Sequence, residues 1–317
     1  MSEIIIPFDE SFERPITSII DESGILTSGS SERLGGVSPH LSSPSYPLAF
    51  QDEKFIMSDC ARGVRLQMEM DKPEWFFRQY GIRSTIIVFG SARFISRRKA
   101  ERLLTEAKNN LAAHPKEKRF LDALAAAELQ LKTSAYYEMS RQFASIVSQE
   151  TGAALPVLSE LPERRPGPYD FVICTGGGPG AMEAANRGAS EAGAMSIGLN
   201  IKLPYEQTPN PYITPQLCFQ FHYFNVRKLH FMLRAKAAAV CPGGFGTFDE
   251  LFEALTLRQT ERMQKIPIVL LGSEFWHSCV NFGYLVEMGV IHRDDLKLFH
   301  ITDDPQEAWD MIKTFYR

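Results

Sequence analysis

From Thr85 onward, short apolar runs alternate with longer stretches in which apolar residues recur every three or four positions. Seven runs read as strands: "TIIVFG" (85–90), "DFVICTG" (170–176), "MSIGLNI" (195–201), "LCFQFHYF" (217–224), "AAAVC" (237–241), "IPIVLLG" (266–272) and "LFHIT" (298–302). Helical spacing covers 181–193, 224–236, 247–264, 274–288 and 305–315. Strands that are apolar at nearly every position are buried on both faces, and alternation with helices is how a chain covers a parallel sheet. The pattern predicts an α/β protein with a doubly wound, mostly parallel sheet spanning 85–317.

Two segments stand outside that alternation. A polar, Ala- and Leu-rich stretch at about 94–150 reads as a helical insertion of two helices broken near "AAHPKEK". Inserts of this size cap a sheet edge or build a subunit contact. Residues 1–84 form an N-terminal extension, partly irregular. Within it, "LTSGSSERLGGVSPHLSSPSYP" (26–47) has too little apolar surface to offset the entropy of ordering, and is expected to be a loop or arm that wraps a partner. "EWFFRQY" (74–80) reads as a brief aromatic helix leading into the first strand.

Two strand-to-helix turns carry glycine clusters, "ICTGGGPGAMEAANRGA" (173–189) and "AVCPGGFGTFDELFEAL" (239–255). Glycine there lets backbone N–H groups approach a ligand, and the unpaired N–H groups of the following helix favour an anion such as phosphate. The first turn meets the relaxed dinucleotide fingerprint, Gly176-x-Gly178-x-x-Ala181, which also needs a carboxylate about 20 residues on. The next strand ends Leu199, Asn200, Ile201, Lys202 without one, so a nicotinamide-dependent enzyme is disfavoured. In the second turn, Thr247 and Glu250 have the spacing of a capping box, with Thr247 as the cap. A cap alone leaves Pro242-Gly243-Gly244-x-Gly246 unexplained, and an anion cradle explains it.

Composition removes several function classes. At 317 residues and 44% hydrophobic, the chain can bury one large core, or a core and a smaller appendage. A formal net charge of -4 gives no basic excess, so neither nucleic acid nor an acidic membrane is an expected partner. The longest basic cluster, "RFISRR" (93–98), reads as a solvated helix start. No apolar run approaches the roughly 20 residues that cross a bilayer, and the N-terminus lacks a secretory pattern; a soluble, cytoplasmic protein is expected. The five cysteines (Cys60, Cys174, Cys218, Cys241, Cys279) are odd in number and show no CxxC spacing, against a disulfide framework or a zinc site. Cys174 and Cys241 are expected to be buried strand-end thiols rather than nucleophiles.

"PGGFGTFDE" resembles the PGGxGTxxE signature of the cytokinin-activating phosphoribohydrolases, the LOG family, formerly labelled lysine decarboxylase-like. "GGGPGAMEAANRGA" resembles its companion glycine motif, "FGSAR" (89–93) its first strand-to-loop turn, and "NVRKLHFM" (225–232) the helix bearing its Arg-Lys pair. The four motifs occur in family order over about 85–317. The resemblance implies a Rossmann-like fold and hydrolysis of the N-glycosidic bond of a nucleoside 5′-monophosphate, AMP or a cytokinin riboside monophosphate. It implies no metal and no organic cofactor, and a homodimer or higher homo-oligomer with sites near subunit contacts. By position, Arg227 and Glu250 match the catalytic residues. Gly243, Gly244, Gly246 and Thr247 match the phosphate cradle, and Ser91, Gly177 and Gly178 line the pocket.

That chemistry is sensible for these residues. Breaking a glycosidic bond develops positive charge on the ribose, which a nearby carboxylate stabilises more in the transition state than in the ground state. Glu250 is suited to this, to orienting the ribose hydroxyls, or to positioning the attacking water. Arg227 is suited to clamping phosphate or steadying the departing base. Decarboxylation through pyridoxal phosphate needs a Schiff-base lysine and an acidic partner for the ring nitrogen, and Lys202, Lys228 and Lys236 have no such setting. The alternative is a non-catalytic carrier of a nucleotide or of molybdenum cofactor, for which a related fold uses similar glycine loops.

Overall fold

The computed structural model describes residues 39–152, 167–203 and 208–317. The chain divides into two units at the boundary between Asp59 and Cys60. Of the Ser-rich arm expected over 26–47, residues 26–38 lie outside the described residues. The first unit, from residue 39, holds turns and a single helical turn, Glu53–Ile56, capped by the Asp52 carboxylate, which accepts the Phe55 N–H.

The second unit is built on a seven-stranded, all-parallel sheet: β1 Thr85–Phe89, β2 Val172–Thr175, β3 Ser196–Ile201, β4 Cys218–Phe221, β5 Ala235–Val240, β6 Ile268–Leu271 and β7 Phe299–Thr302. The order is β4-β3-β2-β1-β5-β6-β7. All seven predicted strands are present. Strands β1, β2 and β6 are buried at every position, which is why they read as unbroken apolar runs. Successive β1 residues face opposite layers: Ile87 and Phe89 join one core with Phe219, Phe231, Leu251 and Trp276, while Ile86 and Val88 join the other with Phe143, Val147, Trp309 and Ile312.

Among the described residues of the second unit, nine helices flank or join these strands: α1 Arg62–Gln79, α2 Arg97–Ala113, α3 Lys118–Thr151, α4 Ala181–Glu191, α5 Phe224–Leu233, α6 Phe245–Gln259, α7 Ser273–Cys279, α8 Phe282–Glu287 and α9 Pro305–Phe315. The insertion is the α2–α3 pair, broken at 114–117, where Pro115 cannot continue a helix. Helix α3 packs on α4, with the Ser140 hydroxyl donating to the Ala181 carbonyl at 2.8 Å.

The helices differ from expectation in three places. The aromatic stretch 74–80 is the end and C-cap of the 18-residue α1, whose Leu66, Met70, Pro73 and Phe77, with Tyr80 at the C-cap, face the core at helical spacing. The helix expected over 274–288 is two, because Val280 is extended and Asn281 starts α8 by accepting the Tyr284 N–H. Helix α6 begins at Phe245, not Thr247.

Candidate active site

Strand order reverses between β1 and β5, and a crevice opens at the C-terminal ends of such neighbours because their chains leave in opposite directions. The turn after β1 lies between the two glycine loops. The Ser91 N–H donates to the Pro242 carbonyl at 3.0 Å, and the Ser91 carbonyl accepts the Ala181 N–H at 2.9 Å. Ser91 thus joins both loops through its backbone, while its hydroxyl accepts the Arg93 N–H at 3.1 Å.

In the second loop the N-cap of α6 is Gly244, and no side chain caps the helix. This corrects the capping-box reading. Thr247 is the third residue of the helix, and Glu250 bonds elsewhere. Gly243 is required because a Cβ there would collide with the buried Thr247 side chain. None of the N–H groups from Gly243 to Thr247 donates to a described residue, and Gly244, Phe245 and Gly246 are exposed. The first turn of a helix always leaves N–H groups without intrahelical partners, and here nothing on the described chain covers them.

Behind this cradle, Arg227 of α5 meets Glu250 of α6, with Nη2 to Oε1 at 3.0 Å and side chains 10% and 15% exposed. Arg227 Nη2 also lies against the first loop, 3.2 Å from where a Cβ on Gly176 would sit. Its Nε is buried without a partner. Burial pushes the Glu250 carboxyl up to about 7, against the downward pull of the Arg227 charge and with a further push from Asp249. Burial also lowers Arg227, but a guanidinium starts so high that it stays charged. Asp249, the other acid of this stretch, takes Lys228 at 3.2 Å, as does Glu253. The Arg-Lys pair of α5 and the acids of α6 therefore bind their helices together twice, once in the interior and once near solvent.

The first loop is shaped by a buried amide network that the sequence reading did not single out. Asn186 Oδ1 accepts from the Thr175 hydroxyl at 2.7 Å and from Asn210 Nδ2 at 2.9 Å, and Asn186 Nδ2 donates to the Ser196 hydroxyl at 3.0 Å. Asn210 Nδ2 also reaches the carbonyls of Gly177 and Gly178, at 3.2 and 3.1 Å. Gly177 has φ 73° and gives its N–H to the Thr175 hydroxyl, so that amide faces inward; no described residue accepts from the Gly178 N–H. An Asn in the middle of a helix, within "MEAANRGA", was the available signal, since Asn is a poor helix former unless its amide has work elsewhere. Asn200 stands where a dinucleotide site would want a carboxylate, and its Nδ2 bonds the Phe219 carbonyl at 3.1 Å.

All five cysteines are free; Cys174 and Cys241 are buried, and burial raises both thiols, Cys241 to about 12. Among the described residues no helix is long and apolar enough to cross a membrane.

Fold and site together define a parallel α/β protein with a glycine turn of unpartnered N–H groups at its switch point. Residues 182–312, which include the second glycine loop and both Arg227 and Glu250, match the family model described as "Possible lysine decarboxylase". No curated protein matches the chain. Among solved structures, the chain is similar to a structural-genomics target described as TM1055, at 15% identity over 73% of this chain and 99% of that one, TM-score 0.40. It is also similar to the Moco carrier protein from Chlamydomonas reinhardtii, at 18% identity over 73% of this chain and 97% of that one, TM-score 0.39. Lys228, next to Arg227 on α5, is held in ion pairs with Asp249 and Glu253. Burial opposes the Lys228 charge, yet Asp249 and Glu253 raise it above the ordinary value, which keeps the amine protonated.

Proposed function

We propose that the protein hydrolyses the N-glycosidic bond of a nucleoside 5′-monophosphate, of the AMP or cytokinin-riboside type, to the free base and ribose 5-phosphate. The observation that carries this reading is the run of unpartnered N–H groups from Gly243 to Thr247 ahead of a buried carboxylate one helical turn away. The phosphate docks on those amides at the start of α6. The helix dipole contributes about 0.3–1 kcal/mol, up to roughly 2 where partly buried, so direct N–H bonds supply most of the hold.

With the phosphate there, Glu250 faces the ribose from the same helix face as Gly246 and Thr247. As the C1′–N bond breaks, the base leaves with the bonding electrons and takes up a proton. Water adds to C1′ and loses one, and the Glu250 carboxylate balances the positive charge that builds on the sugar. Arg227 holds Glu250 in place and keeps one guanidinium N–H, at Nε, unengaged.

Incubation of the pure protein with AMP should release adenine, and a panel of monophosphates should rank the bases. Binding of AMP without release of base would instead identify a carrier, the reading that the glycine loops alone also allow.

A further inference from the structure

Helix α5 carries Arg227 but has no cap of its own: Tyr223, its N-cap, makes no side-chain cap bond. An acceptor for the segment that enters α5 comes from α1. Glu69 takes the His222 N–H on one carboxylate oxygen at 2.7 Å and the Tyr223 N–H on the other at 3.1 Å. One turn past Arg227, His230 Nε2 donates to the Glu69 backbone carbonyl at 3.1 Å. At the far end of α5, Arg234 makes a two-pronged pair with Glu74, at 3.0 and 2.5 Å. Tyr223, Arg227, His230 and Arg234 share one helix face, at i, i+4, i+7 and i+11. Three of the four are fastened to α1 and the fourth points at Glu250.

We propose that Glu69 is a positioning residue for the candidate site: its carboxylate, lent by a helix that precedes the whole sheet in sequence, fixes the start of α5 and thereby holds Arg227 against Glu250. A carboxylate at a helix N-terminus complements the positive end of the dipole, and this one also fixes the chain entering the helix by accepting the N–H groups of the N-cap and of the residue before it. Its catalytic meaning rests on the proposed function, but its structural content does not.

The test uses the full chain with Glu69→Ala and Glu69→Gln, each alone and combined with Arg227→Ala. Two readouts are followed: kcat/KM on AMP, and the midpoint of the Glu250 carboxyl titration by carbon NMR, assigned by its absence in Glu250→Gln. Glu69→Ala should lower kcat/KM about tenfold and move the Glu250 midpoint upward, because a loosened Arg227 no longer favours the carboxylate. Both effects should vanish in the Arg227→Ala background. Glu69→Gln keeps one acceptor without the charge and should fall between, with melting close to that of the parent, so it decides the matter if the Ala variant does not fold. Equal losses in both backgrounds, or an unmoved midpoint in a folded Gln variant, would overturn the proposal. A shifted midpoint in a protein with no activity on any monophosphate would refute the proposed function and leave the positioning role standing.

Discussion

Glu250 concentrates the chemistry in one side chain whose charge the surroundings make adjustable. Replacing it with Gln keeps an oxygen for Arg227 Nη2 and removes the negative charge. If the carboxylate stabilises the sugar cation, kcat on AMP should drop by about 10² to 10³, or roughly 2.7–4 kcal/mol, with folding little changed. Unaltered turnover would return Glu250 to a purely structural ion pair. The raised carboxyl also predicts a pH profile. With its midpoint near 7, the reactive carboxylate accumulates as pH climbs through neutrality, and kcat/KM should rise with it. Stability moves the other way. Between the ordinary value of 4.5 and about 7 the folded chain holds a proton that the unfolded chain has released, so this group's contribution to stability falls as pH rises across that window. Melting temperatures of the parent, referenced to Glu250→Gln over pH 4 to 8, would expose the drift, and parallel curves would contradict it.

Among elements, the two glycine loops and the β1 turn act as one piece, since Ser91 bonds both neighbours through its backbone. Adenosine lacks the phosphate that the proposed function docks on the α6 amides, so it should be a far poorer substrate than AMP; equal rates would remove the cradle from the mechanism. In the other loop, Asn186 ties β2, β3 and the Asn210 segment together from the buried face of α4. Asn186→Ala strands several buried polar partners, each costing about 1–3 kcal/mol, and urea unfolding should register a loss of at least that size. The strands were legible because a two-sided parallel sheet writes itself as apolar runs, and the insertion because Pro115 breaks its pattern. Helix α1 was legible only at its aromatic end. Of the apolar residues in its earlier turns only Leu66 and Met70 pack on the core, while Val64 and Met68 face solvent, and a stripe that thin is recognised once the sheet it covers is in place. The glycine cradle could be read from residue type alone, whereas the start of α6 could not: Gly244, without a side chain to announce a cap, takes that position three residues ahead of the Thr247 that looked the part. The Arg227–Glu250 contact joins residues 23 apart on two helices, and the motifs named both without revealing that they touch.

On the scale of the whole molecule, the resemblance to the phosphoribohydrolase family leads us to expect an assembly rather than a lone chain, and the surface beside the candidate site suits one. Helix α5 exposes Phe224, Leu229 and Leu233, and α6 exposes Phe252 and a nearly bare Phe245, 96% accessible at the mouth of the cradle. Single exposed apolar residues are ordinary, but Phe245 and Phe252 share one face of α6 and Leu229 and Leu233 one face of α5, and such grouped apolar residues are what an interaction surface offers. A stable homodimer buries about 1,600 Å² in all, far more than Phe245 could supply, so the whole exposed flank of α5 and α6 would have to take part. Sedimentation of the pure chain at micromolar concentration should therefore give a multiple of the single-chain mass. Phe245→Ser combined with Leu233→Ser should shift that mass toward one chain and lower kcat/KM on AMP in step, because the cradle would lose the cover that keeps water from its amides. A parent protein that sediments as a single chain with full activity would place the site wholly within one copy and leave these aromatics without an assembly role.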